Sequence, residues 1–145
     1  MKTLQGIAAI FVGFMAGVTV IWLLMLFTAF LFPPAGNYAQ LAPEIARQQA
    51  IENAPLAAYG GMLFAFAFGA FLSGFTAQKI ATSPANWHAL VAGILLLVAG
   101  LLFLKPYPYP IWFLLVSSLT FLPCAALGGW VAKRKRLRNA TSVNQ

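Results

Sequence analysis

Charge is what this chain has least of. Only 8% of its 145 residues are charged, and there is no Asp. Soluble globular domains carry about a quarter charged residues, so this composition belongs to the membrane class, and at this length to a single domain. Ionisable residues within a span are the default mark of a proton relay or ion-coupled transport. Every Lys, Arg and Glu here falls at the end of an apolar stretch or between two of them. That weighs against proton- or sodium-coupled transport. It also separates the chain from the small multidrug-resistance transporters, which are built around a membrane glutamate. The one cysteine, Cys124, permits neither an internal disulfide nor a cysteine metal site. The one histidine, His88, cannot supply bis-histidine haem ligation within one chain. No cofactor and no metal site is expected.

What the chain has in abundance is apolar length: 61% of it is hydrophobic and 14% aromatic. Four stretches are long enough to cross a bilayer, at about residues 5–32, 56–80, 86–104 and 111–132. The first is too long for a signal-peptide core and ends in Phe30-Leu31-Phe32 before Pro33-Pro34, so it reads as a retained span. Pro33-Pro34-Ala35-Gly36-Asn37 reads as a turn. Pro43 with Glu44 then opens a short amphipathic helix reaching about Asn53, which is either an interfacial connector or a lid. Ser83 and Pro84 suit the cap and first position of the third span, whose Leu- and Val-rich make-up marks it as the most lipid-facing. Pro106-Tyr107-Pro108-Tyr109-Pro110 makes a stiff turn into the fourth.

The formal charge of +7 is distributed unevenly. Lys2, Lys79, Lys133, Arg134, Lys135, Arg136 and Arg138 fall on one side of the four spans, and Arg47 and Lys105 on the other with both glutamates. The positive side is cytoplasmic, so both termini lie inside. Residues 133–145 form a basic cytoplasmic tail. Lys133, Arg134, Lys135, Arg136 and Arg138 serve as its stop-transfer signal and are expected to meet anionic phospholipid headgroups. Nucleic acid is not an expected partner, because no folded module stands behind the tail. Asn139-Ala140-Thr141 matches a glycosylation acceptor but lies on the wrong side for it.

The second span is organised around small residues at every fourth position: Ala57, Gly61, Ala65, Gly69, Ser73 and Ala77. Small residues at this spacing let a second helix backbone approach closely in lipid. Ala9, Gly13 and Gly17 give the first span a matching ladder at the level of Ala77, Ser73 and Gly69, so these inner halves should form the first hairpin's contact. Because four-residue steps drift around a helix of 3.6 residues per turn, Ala57, Gly61 and Ala65 should turn away, toward Ser117-Ser118 or another protein.

Catalytic constellations are thin. His88 reads as a polar interfacial residue. Ser117 and Ser118 lie on the order of 15–20 Å from the level of His88 by helix rise, too far for a nucleophile and its base. Cys124 lies closer to His88 in depth, but apolar surroundings leave a thiol inert. Pro123 removes a backbone hydrogen bond and crowds the carbonyl of Leu119, so a kink is expected there. Its bland account is local re-satisfaction by the hydroxyls of Ser117, Ser118 and Thr120; its sharper one is a flexing hinge.

Phe32-Pro33-Pro34, Gly69-Ala70-Phe71, Gly74-Phe75-Thr76-Ala77, Tyr109-Pro110-Ile111-Trp112-Phe113, Leu122-Pro123 and Leu127-Gly128-Gly129 together resemble a group of small uncharacterised bacterial four-span inner-membrane proteins. These are packing and turn motifs, and the group brings no known activity or ligand. The expected fold is all-α: an integral membrane four-helix bundle, N-in and C-in. The expected role is non-enzymatic, through helix association as a homo-oligomer or as an accessory subunit of another membrane protein. The alternative is a small transporter or channel for a neutral or lipid-like solute.

Overall fold

The computed structural model describes residues 2–33, 41–81, 87–107 and 109–142. Among them are five helices and no strands: α1 (Lys2–Leu31), α2 (Pro43–Glu52), α3 (Leu56–Ile80), α4 (Trp87–Leu104) and α5 (Ile111–Ser142). Four of these, all but α2, are long and apolar enough to cross a membrane. In hydrocarbon no water can satisfy a stray N–H or C=O, so long apolar runs close their hydrogen bonds internally as helices. Prolines mark the starts. Pro43 sits in the first turn of α2, Pro55 precedes α3 and its carbonyl accepts from Ala58 N at 2.9 Å, and the Pro110 carbonyl accepts from Phe113 N at 3.0 Å. The Pro33-Pro34 turn, the Ser83-Pro84 cap and Pro108 fall wholly or partly outside the described residues.

α3 is the centre of the bundle, packed closely on α1 and on α5. α4 completes the ring against α5, touching α3 across the middle, and its contact with α1 is the loosest. Aromatic rings fill the core as a column: Trp112 and Phe113 against Tyr59, then Phe66, then Phe121, with neighbouring centroids 5.2–6.2 Å apart. Phe113 and Phe121 are fully buried.

Two expectations need correction. The least buried of the four long apolar helices is α1, not α4: only 11% of its apolar window is buried, against 33% for α4. The Leu and Val side chains of α4 do face outward, but its Ala89, Ala92, Gly93 and Leu96 form an inner stripe that the composition hides. The last helix also runs past its expected end at about 132, since α5 continues through Lys133–Arg138 to Ser142. Lys and Arg are good helix formers, so nothing at Ala132 stops the helix.

Candidate functional site: a side cleft and a lidded chamber

The small-residue ladders are consumed inside the protein. A Cβ on Gly13 would stand 2.7 Å from Ala77 Cβ and from the Ser73 carbonyl oxygen. One on Gly17 would stand 2.8 Å from Ser73 Cβ and 3.1 Å from the Gly69 carbonyl oxygen, and Gly69 in turn is covered by Ile21. Ala9, Ala65, Ser73 and Ala77 are completely buried. Gly61, expected to turn away from the first helix, instead faces Thr28 of α1, whose Cγ2 would stand 2.7 Å from a Cβ placed on it. α1 follows the stripe of α3 outward because its own small residue at that level, Thr28, leaves room. Only Ala57 of the ladder is exposed.

A second close contact was not anticipated. Gly74 of α3 lies directly against the backbone of Ala125, and Gly128 of α5 against the backbone of Phe71, too near for any side chain. Gly93 and Gly129 bring α4 in, against Ala125 and Ala89 respectively. The signal is present as Ala70-Gly74, overshadowed by the longer ladder one residue away, and as Cys124-Gly128-Ala132, small residues four apart.

Where the packing is not closed, a cleft appears. α1 and α4 touch at one end, where Gly6 meets His88 and Gly17 meets Leu96. Beyond that level a cleft of about 260 Å³ opens between them. Its floor is buried Phe66, Leu96 and Phe121, and its rim includes the exposed Trp22 and Phe103. Next to it, under α2, lies a chamber of about 170 Å³ lined among others by Thr28, Tyr59, Met62 and Tyr109. Met25 lines both spaces, and none of the described residues lining either carries a charge. α2 forms the roof of the chamber while burying none of its own residues. It is tied down by the Tyr59 hydroxyl, which donates to the Ile51 carbonyl at 2.8 Å, and by Arg47, which donates to the Tyr107 hydroxyl at 3.4 Å. Burial holds the Tyr109 phenol above its ordinary range, with the phenols of Tyr107 and Tyr59 adding to the effect. Its hydroxyl therefore remains a neutral donor and acceptor.

The basic end differs from expectation in two respects. His88 is not an interfacial surface residue: it is 4% exposed, with its ring 3.9 Å from that of Trp87 and its Nε2 turned to Gly6. Its Nδ1 and the Ser73 hydroxyl find no hydrogen-bond partner among the described residues. Arg136 does not face outward for headgroups alone. Its guanidinium donates to the carbonyls of Gln78 at 3.2 Å, Lys79 at 3.4 Å and Ala81, capping the C-terminus of α3. Arg134 lies over the Trp130 ring at 5.3 Å and Lys135 over Phe75 at 5.8 Å, while Lys133 is half-buried and Arg138 exposed.

Around Pro123 the helix continues unbroken, and Pro123 itself is exposed. The hydroxyls of Ser117, Ser118 and Thr120 donate to the carbonyls of Phe113, Leu114 and Val116 at 2.6–2.7 Å. None of these three hydroxyls donates to the carbonyl of Leu119, four residues before Pro123. Cys124 is half-buried and packs against the aromatic core. No group of three or more His, Cys, Asp or Glu residues able to hold a metal is found among the described residues. No known protein family, curated protein or solved structure matches the chain.

Proposed function

We propose that this is a non-enzymatic multi-pass membrane protein of the inner membrane, N-in and C-in, that holds a neutral, lipid-like solute in the cleft between α1 and α4. The observation that carries this reading is the cleft itself: about 260 Å³, with a buried apolar floor, an exposed rim and no charged residue among its described lining. An apolar cavity of about 150 Å³ already takes a benzene molecule, so this space accommodates a longer hydrocarbon segment. In a bilayer the rim between Trp22 and Phe103 faces acyl chains, which gives a lipid-like molecule direct access.

Helix association, the first expectation from the ladders, loses support in the stripe expected to face another protein: Gly61 packs against Thr28 of the chain's own α1 and Ala65 is completely buried, which leaves only Ala57 exposed. Anionic phospholipid at Lys133, Arg134, Lys135 and Arg138 remains part of the reading, with Arg136 occupied in capping. The test is photolabelling of the purified full chain by a diazirine-bearing alkane, with labelled residues identified by mass spectrometry. The expected labels cluster at Ile21, Met25 and Phe103, and Ala99→Phe, which fills the cleft, abolishes them. Labels spread evenly over the outer faces of α1 and α4, and unchanged by Ala99→Phe, would sink the reading.

A further inference from the structure

We infer that the chamber beneath α2 is the head-group half of the same site, so that the occupant is a single-chain amphiphile with an uncharged, hydrogen-bonding end. The inference rests on the cleft reading above and adds the chemistry of the head. Met25 borders both spaces, which makes cleft and chamber neighbours along the face of α1. The cleft offers only hydrocarbon and aromatic contact. The chamber adds hydroxyls, from Thr28, Tyr59 and Tyr109. The Thr28 hydroxyl donates to the Leu24 carbonyl at 2.9 Å and the Tyr59 hydroxyl to Ile51, so both present their oxygens as acceptors.

The absence of charge among the described lining residues then selects the ligand. A carboxylate or phosphate placed there gives up water without meeting a charged partner among the described lining, which costs more than a hydroxyl that finds a partner. Alcohols, amides and other neutral heads meet that condition; ionised fatty acids and phospholipid heads do not. α2 supplies the enclosure. It buries no residue of its own and is held by two side-chain hydrogen bonds, so the roof lifts without unpacking the bundle.

The test uses the purified full chain and two matched pairs of photoprobes: a long-chain fatty alcohol and its fatty acid, each with the diazirine either beside the head or at the far end of the chain. The far-end alcohol probe labels the α1–α4 cleft, and the head-end alcohol probe labels around Thr28, Met62 and Tyr109. The acid labels the chamber at least about tenfold less, as expected for a charge buried without a partner. Ala50→Trp fills the chamber from a helix that buries nothing, so it leaves folding alone. It should abolish head-end labelling and spare far-end labelling. Equal labelling by acid and alcohol, or head-end labelling indifferent to Ala50→Trp, would overturn the head-group assignment while leaving the cleft standing. Failure of the far-end probe to label the cleft would overturn both.

Discussion

Gly128 and Gly74 allow α3 and α5 to meet backbone to backbone, and that makes each intolerant of a single methyl group. A Cβ at Gly128 would run into the carbonyl of Phe71 and lie 2.9 Å from Phe75 N, atoms that cannot rotate away. Gly128→Ala should therefore destabilise the protein by about 1–3 kcal/mol, the usual cost of overpacking. The comparison that isolates the effect is Gly60→Ala in the same bundle. Nothing lies within 4 Å of a Cβ there, so the change should be neutral or stabilising by about 0.5–1 kcal/mol through helix propensity. Thermal survival of the monodisperse species in detergent ranks the two; equal midpoints would remove the close-contact account. A second residue-level expectation concerns Tyr109, whose phenol is held above its ordinary range by burial first and by the neighbouring phenols second. A raised phenol pKa means that folding favours the neutral form. The associated stability is present below the unfolded value of about 10 and is lost as pH rises through the folded value. Tyr109→Phe should flatten that alkaline loss, measured as the melting midpoint against pH. A midpoint falling just as steeply in the variant would place the titration elsewhere.

At the scale of elements, the cap on α3 is the feature that composition could not disclose. Arg136 sits in a run that positive-inside logic accounts for completely, yet its guanidinium covers three carbonyls at the C-terminus of another helix. It reaches them only because α5 stays helical beyond Ala132. A cation at a helix C-terminus also meets the negative end of the macrodipole. Arg136→Ala should speed amide exchange in the last turn of α3, at Ala77 to Ala81, without loosening its middle. The effect is on the order of 1 kcal/mol, since the side chain is exposed. Exchange unchanged in that turn would reduce the contact to a surface coincidence. The elements themselves were largely legible, since an apolar run in a membrane has no alternative to a helix and prolines mark where three of them begin. The α1–α3 pairing was legible too, because both ladders are long. The α3–α5 contact was hidden because Gly74 sits beside Ser73 and Gly128 within a glycine pair, so each looked incidental. His88 was misread because one polar residue beside a tryptophan carries no sign that Gly6 has left space for its ring.

For the whole molecule, what the sequence could not carry is the splay of α1 from α4. α1 and α4 meet where Leu96 lies against Gly17, and beyond that level the space between them stays open, lined by Ile21, Trp22, Phe103 and Phe121. No one-dimensional pattern encodes such a gap. Orientation is the opposite case, since it depends on where charges fall along the chain. Gly6 meets His88, Gly129 meets Ala89, and Arg136 meets Ala81, so the start of α1, the end of α3, the start of α4 and the later part of α5 share one end of the bundle. That end collects Lys2, Lys79, Lys133, Arg134, Lys135, Arg136 and Arg138, whereas Arg47, Lys105, Glu44 and Glu52 lie with the opposite end. Under the orientation proposed above, retention of Lys and Arg in short loops puts that end in the cytoplasm and α2, with the chamber it roofs, on the exported side. Paired reporter fusions test this: one active only in the cytoplasm should function after Gln145, and one active only after export should function in the α2 segment. Reversal of both signals would turn the bundle over and place the chamber inside. It would also mean that the basic end of α5, with Arg134 over Trp130 and Lys135 over Phe75, is held by packing rather than by the anionic leaflet.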